Sequence, residues 1–459
     1  MMQSINPANG QLVGEYAIHS PAEVDAILSG AAAAQAHWRR SEVTQRSELL
    51  IAIARQLRAD KAELASIITA EMGKPLAEAE AEVEKCALNC DHYAEAGPGF
   101  IADAPVKGVQ GVSLAYDPLG VVLAIMPWNY PLWQVFRFVA PALMAGNGII
   151  LKHAANVCGC AEAIGRTLLK AGAPKGLFGH LLIESGRVQA VIEDERIAAV
   201  TLTGSTEVGM IVAAQAGRVL KKQVLELGGS DPFVVLADAN LEQAARVAVT
   251  ARFTNAGQSC VNAKRFIVEA SVADAFVEAF RAEVAKLVLG DPLERATTIG
   301  PMARANLRAA LDDQVQRSIA AGARLLAGGQ ATDRPGFFYE PTLLDGVQPG
   351  MAAFDEETFG PAAAIIRAAD VDQAIGLANR TVFGLGASLW TSDLDRAGKL
   401  VRQIDAGAVF VNAMVASDPR VPFGGIKQSG YGRELGDLGL REFTNIKTVK
   451  MLAPEGQAA

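Results

Sequence analysis

The sequence predicts an α/β protein of two or more domains, and three observations carry that reading. Short apolar segments alternate with helical ones between residues 121 and 203, a second series of the same kind begins near residue 232, and 459 residues exceed what one core usually organises. With 50% apolar and 20% charged residues, the chain has the balance of a globular protein. The net charge of −8, without a run of Lys or Arg, gives no electrostatic basis for binding nucleic acid or a membrane surface. The opening "MMQSINPANG" lacks the basic and apolar stretches of a secretory signal, and no apolar run reaches about 18 residues, so a cytoplasmic protein is expected.

From residue 20 to 97 the chain is rich in Ala and Glu, with apolar residues at three-to-four spacing, as in "RSELLIAIARQLRADKAELASIITAEMG". That spacing predicts amphipathic helices, one of them ended by Gly73 and Pro75. From Gly97 to Pro118, alternation and turn residues in "APVKGVQGVSLAYDP" predict a hairpin-like element whose edges need a covering strand. Then follow strand 121–126 (VVLAIM), a helix from Pro131, strand 148–152 (GIILK), a helix from Asn156, strand 178–183 (FGHLLI), a helix, and strand 197–203 (IAAVTLT). Buried strands separated by helices imply a parallel sheet covered on both faces, with ligands bound beyond the carboxyl ends of its strands. The second series contains "PFVVLAD" (232–238), "RFIVEA", "AAAIIRAA" and "GAVFVN", which puts a domain boundary near Gly228 and Gly229. The C-terminal "GLREFTNIKTVKML" reads as a strand returning to another domain or subunit.

Five cysteines in a chain of this length argue for reduced thiols. Cys86 and Cys90 lie four apart, with His92 close behind, and Cys158 and Cys160 are too tightly spaced for a CxxC pair. Without a second ligand cluster these four are structural thiols and no metal site is expected. Cys260 differs, because it ends "FTNAGQSC" in a loop between helix and strand.

Three further segments carry chemistry. "TLTGSTEVG" places Gly204 and Gly209 where a strand passes into a helix, either a phosphate cradle at a helix N-terminus or a tight turn with a hydroxyl cap. "VLELGGSDP" sets Glu226 in an apolar strand before two glycines, where a carboxylate is either paired or, with its pKa raised by burial, a general base. "IMPWNYP" puts Asn129 between strand and helix, as an amide for an oxyanion or as a turn residue bonded to its own backbone.

"PWNYP", "TGSTEVG", "ELGGSDP", "GQSC", "EETFGP" and "PFGGIKQSGYGREL" occur in an order and spacing that resemble the NAD(P)-dependent aldehyde dehydrogenase superfamily across nearly the whole chain. The resemblance implies a Rossmann-type cofactor domain (1–99 and 118–228), an α/β catalytic domain (229–430) and a small β oligomerisation element (100–117 and 440–459). It implies Cys260 as nucleophile, Asn129 with the Cys260 amide as oxyanion donors, and Glu226 as the base for hydrolysis of a thioester. An ordinary thiol is only about 3% ionised at neutral pH, so its surroundings must assist ionisation or attack. By the same resemblance Lys152 bonds the adenosine ribose, Thr203, Gly204 and Ser205 line the pyrophosphate, and Glu357 and Phe359 position the nicotinamide riboside. Met126, Pro127, Trp128, Gly186, Val208, Leu227 and Gly228 complete the implied cofactor site. Ala155 stands where many NAD-specific members carry Glu, which admits NADP as well as NAD and tilts the reading toward NADP.

The substrate site implied by resemblance contains Tyr130, Arg137, Ser417 and Phe423. Arg137 lies in the helix "PLWQVFRFVAPALMAG", either paired structurally or facing an anionic substrate. In members that oxidise succinate semialdehyde an Arg here holds the far carboxylate with help from a Ser, which would be Ser417, and "VASDPRVPFGGIKQSGYGREL" is similar to that branch. A second Arg found in some of them shortly before the nucleophile is Thr254 here. The expected activity is oxidation of succinate semialdehyde to succinate with NADP or NAD, by a homodimer or dimer of dimers. Another semialdehyde, a general aliphatic aldehyde, or a non-catalytic protein on the same fold are the alternatives.

Overall fold

The computed structural model describes residues 1–452. A hairpin, β1 (Met2–Ile5) and β2 (Leu12–Tyr16), precedes four helices, α1 (Pro21–Trp38), α2 (Val43–Ala59), α3 (Lys61–Met72) and α4 (Leu76–Phe100). Ser20 and Glu23 cap α1 reciprocally, with Pro21 in its first turn. Gly73 ends α3 at φ 81°, a left-handed conformation that suits glycine. Leu49, Leu50, Ile53, Ala54 and Leu57 form the buried stripe of α2. Helix α4 continues past residue 97, through Pro98 in its last turns, so the expected hairpin starts later, as β3 (Ala104–Pro105) and β4 (Val112–Pro118).

The first large sheet contains β5 (Val121–Met126), β6 (Gly148–His153), β7 (Phe178–His180), β8 (Ile197–Thr203) and β9 (Lys222–Glu226). These run parallel in the order β9-β8-β5-β6-β7. Helices α5 (Trp133–Met144), α6 (Cys158–Lys170), α7 (Val188–Glu193) and α8 (Thr206–Arg218) cross between them. The strand order departs in opposite directions from β5, so a crevice opens beyond the ends of β5 and β8. Helices α5 and α6 begin two residues later than the sequence predicts, after Pro131 and Asn156, and β7 has three residues rather than six.

Residues 227–230 carry the chain into a second sheet, of β10 (Asp231–Val235), β11 (Ala263–Glu269), β12 (Arg324–Ala327), β13 (Thr342–Asp345), β14 (Ala362–Ala368), β15 (Gly386–Trp390) and β16 (Ala408–Val411). Their spatial order is β12-β13-β14-β11-β10-β15-β16, with only β12 antiparallel to its neighbour. Helices α9 (Leu241–Phe253), α10 (Ala270–Val284), α11 (Ala305–Ala320), α12 (Ala352–Asp355), α13 (Val371–Asn379) and α14 (Leu394–Leu400) flank it.

The chain then rejoins the first layer. Phe423 packs in the core beside α4 and α5, and β17 (Gly430–Tyr431) pairs with β9. The range 229–430 therefore reaches past the point of return, because the apolar side chains of Phe423, Leu435 and Leu440 are buried in the first core. Helix α15 (Gly436–Arg441) leads into β18 (Thr444–Lys450), which pairs antiparallel with β4 of the same chain and gives the order β18-β4-β3. Of the segment 440–459 assigned to oligomerisation, residues 453–459 lie outside the described residues.

Candidate active site

Cys260 ends a loop whose backbone is held in an unusual conformation. Asn255, Ala256 and Gly257 have φ of 58°, 51° and 71°, and such left-handed non-glycine residues cost about 1 to 3 kcal/mol each. A side-chain network holds them there: Asn255 Nδ2 donates to the carbonyls of Asn129 (2.8 Å) and Gln258 (3.1 Å), and Gln258 Nε2 donates to the carbonyl of Asn255 (3.1 Å). Buried Lys264 donates to the carbonyls of Ser259 (3.0 Å) and Cys260 (2.9 Å). The loop is thus tied to β11 and to the end of β5.

Asn129 is 4% exposed, and its Nδ2 donates to the carbonyl of Gln258 at 3.0 Å, across the cleft rather than to its own turn. One N–H of that amide remains for another acceptor. His153, from β6, fixes the same turn, with Nε2 2.8 Å from the carbonyl of Pro131.

Glu226 ends β9 and is 2% exposed, with no hydrogen-bond partner in the protein for either carboxylate oxygen. Gly424 permits this placement, because a Cβ there would lie 2.6 Å from Glu226 Oε1. Burial raises the Glu226 pKa well above the carboxylate range; Arg137 opposes the rise and Glu434 adds to it. The Cys260 thiol is pushed up to about 12, again by burial, with Arg137 and Lys264 pulling it down and Glu357 and Glu226 pushing it up. The surroundings therefore do not ionise the thiol in advance, as the sequence reading required of them unless they assist attack.

A cavity of about 250 Å³ leads to Cys260 and brings together Tyr130, Arg137, Ser417 and Phe423, with Thr254 also on its wall. Arg137 is 2% exposed, pairs with Glu434, donates to Thr203 Oγ1 (3.2 Å) and lies 4.8 Å from the centre of the Phe423 ring. Of the two sequence alternatives for Arg137, the ion pair is present.

Beyond the ends of β5 and β8, Thr203 and Gly204 lead into α8, which Ser205 caps by accepting from Val208 N–H at 3.4 Å. A Cβ on Gly204 would meet only Leu202 at 3.8 Å, so the protein's own packing does not demand glycine there and the strand end is open to a ligand. Met126, Pro127 and Trp128 follow β5 on the neighbouring side of the crevice. Lys152 and Ala155 follow along β6 and its exit, where burial lowers the Lys152 pKa. Gly186 lies in an open turn where an added Cβ meets nothing within 4 Å. Leu227 is buried against Gly209. Glu357 accepts from Gly229 N–H at 3.0 Å, with Lys264 Nζ 3.4 Å away, and so lies over Gly228. Phe359 stands edge-on to Trp128, with 5.8 Å between ring centres. These residues fit a dinucleotide laid across the strand ends.

Four charged residues and one amide escaped the sequence reading: Glu78 and Lys85 on the cavity wall, Lys264 under the Cys260 loop, Glu434 against Arg137, and Asn255. Asn255 and Glu434 stand inside quoted motifs, whereas nothing local marks Lys85 in an Ala- and Glu-rich helix. Cys86, Cys90, Cys158 and Cys160 are buried free thiols, and no metal-binding cluster is found among the described residues.

Residues 1–449 match the model of the aldehyde dehydrogenase family. The chain is 49% identical over 448 residues to the succinate semialdehyde dehydrogenase [NAD(P)+] of Escherichia coli K12, covering 97% of each chain. It is 50% identical over 447 residues to a probable succinate-semialdehyde dehydrogenase [NADP(+)] of Synechocystis, covering 97% of this chain and 98% of that one. The solved succinic semialdehyde dehydrogenase of Streptococcus pyogenes, in complex with NADP+, has a TM-score of 0.96 at 35% identity, covering 98% of this chain and all of that one.

Proposed function

The chain belongs to the aldehyde dehydrogenase family, and we propose that it oxidises succinate semialdehyde to succinate with NADP+ or NAD+. The observation that carries the substrate is the cavity at Cys260, which joins an apolar wall to the cationic groups of Arg137 and Lys85 and the hydroxyl of Ser417.

In this reading Cys260 Sγ attacks the aldehyde carbon, and its proton leaves as the carbon–sulfur bond forms, because burial keeps the thiol neutral beforehand. Glu226 is the acceptor, with both oxygens unpartnered and a pKa raised toward that of a general base. The oxyanion takes the free N–H of Asn129 and the Cys260 backbone amide. A nicotinamide dinucleotide, which Lys152, Thr203, Gly204, Ser205, Glu357 and Phe359 would hold, would supply the hydride acceptor that the passage from sulfur adduct to thioester requires. Glu226 gives that first proton up to solvent, then takes one from the water that attacks the thioester, and passes it to the Cys260 sulfur as succinate leaves.

The cofactor reading keeps both dinucleotides, since position 155 carries no carboxylate to repel a 2′-phosphate and the relatives are named for NADP(+) or NAD(P)+. The assembly reading is a homodimer or dimer of dimers through the three-stranded sheet, where Ile446 is 56% exposed. Among the described residues no helix is long and apolar enough to cross a membrane.

Initial rates for succinate semialdehyde and for butanal, each with NADP+ and NAD+, test the substrate and cofactor together. A higher kcat/KM for succinate semialdehyde supports the reading; equal or reversed values assign the enzyme to uncharged aldehydes.

A further inference from the structure

The cavity leading to Cys260 holds two cations in unlike states. The guanidinium of Arg137 is already neutralised by Glu434 and further engaged by Thr203 and Phe423. Lys85 enters the same cavity from α4, and its Nζ donates to Ser417 Oγ at 2.7 Å and lies 4.3 Å from the centre of the Trp133 ring. Among the described residues Lys85 forms no ion pair: Glu82 and Glu84 of its own helix are committed to Lys74 and Arg58.

We propose that Lys85, together with Ser417, receives the distal carboxylate of the substrate and is the main determinant of selection for an anionic aldehyde, while Arg137 chiefly holds the cavity wall through Glu434. This rests on the function proposed above. Ser417 suits the role, because an oxygen that accepts from an ammonium keeps its own proton free to donate to a carboxylate. The face of Trp133 offsets part of the charge but offers no hydrogen-bond acceptor, so a bound carboxylate supplies what the protein leaves out. It also places a second cation where Thr254 provides none.

The other ionisable groups around Lys85 do not replace that ligand. Glu78, on the same wall, accepts from Asn255 N–H and has a pKa raised to about 7 by burial. Asp418 is bound to Arg420, and burial holds the Cys86 and Cys260 thiols neutral. Burial, followed by repulsion from Arg137, lowers the Lys85 pKa to about 8.

The test compares wild type, Lys85→Met and Lys85→Arg with succinate semialdehyde and butanal, and measures inhibition by succinate. In Lys85→Met the ratio of kcat/KM for succinate semialdehyde to that for butanal should fall by roughly 30- to 1000-fold, mainly through KM, with succinate inhibition weakened in parallel. Lys85→Arg should recover most of the ratio. It should also remove a loss of succinate affinity that wild type shows above about pH 8, where the ammonium gives up its proton. A ratio that stays within about threefold of wild type in Lys85→Met overturns the proposal. If instead wild type itself does not prefer succinate semialdehyde, the proposed function has failed, and that is visible before any variant is made.

Discussion

Arg137 shows how one residue type at one position supports two readings until its neighbours are known. The guanidinium and Glu434 are each nearly excluded from water, at 2% and 3% exposure, and burial raises the Glu434 pKa against the pull of Arg137. Removing one partner of such a pair strands the other and costs about 3 to 5 kcal/mol, whereas replacing both by apolar groups is often neutral. Arg137→Ala should therefore lower stability to urea by about that amount and reduce turnover of charged and uncharged aldehydes alike, while Arg137→Met with Glu434→Leu regains most of the stability. Loss confined to the charged substrate, at wild-type stability, would return the carboxylate to Arg137. Glu226 is the neighbouring case: since Cys260 is neutral before attack, Glu226→Gln should slow the first burst of reduced cofactor as well as the steady rate, by about 10²- to 10⁴-fold. A burst at wild-type speed in stopped flow would confine Glu226 to hydrolysis of the thioester.

Helix α5 carries Arg137 and Gln134 to the cavity, and its position depends on Glu82 of α4. Glu82 Oε1 accepts from the N–H groups of Leu132 and Trp133, both at 2.9 Å, and its carboxylate pairs with Lys74, which is 2% exposed. The carboxylate thus satisfies orphan amides at a helix start and neutralises a buried ammonium. Glu82→Ala should cost about 3 to 5 kcal/mol in urea unfolding and raise KM as α5 shifts, with Glu82→Gln milder on both measures. A change in KM without loss of stability would mean that Glu82 acts on substrate and not on the helix. The elements legible in the sequence were those whose own residues announce them, such as β5 and β8, with their branched apolar runs. Strand β15, "GASLW", carries too few such residues, and β12 and β13 are four residues each, so their pairing comes from neighbours distant in sequence. Cys260, Glu226 and Asn129, proposed as nucleophile, base and oxyanion amide, stood out by motif, but Lys85 and Glu82 gain meaning only from partners brought to them by the fold.

Across the whole molecule the Cys260 loop sits on a seam between two sheets, and acidic residues of α4 cross that seam. Glu80 pairs with Arg295, exposed to solvent and screened, whereas Glu78 Oε2 accepts from Asn255 N–H at 2.9 Å in the Cys260 loop. Burial raises the Glu78 pKa to about 7 from an ordinary 4.5, with Lys74 and the Asn255 amide opposing the rise and Glu82 adding to it. The folded protein therefore holds this proton more tightly than the unfolded chain, so stability from Glu78 is greatest below about pH 4.5 and falls as pH rises toward and through about 7. As pH rises through this range the ionised carboxylate is retained at a growing cost, which partial exposure of Glu78 limits to about 1 to 2 kcal/mol between pH 5.5 and 7.5. Glu78→Gln keeps an acceptor for Asn255 but cannot ionise. Its unfolding free energy in urea should gain on wild type by that amount over the same interval. The gain should be accompanied by a flatter pH dependence of turnover, because the loop that Glu78 holds ends at Cys260. A constant difference between the two proteins across the interval would show that Glu78 titrates as an ordinary carboxylate and that the seam is insensitive to its charge.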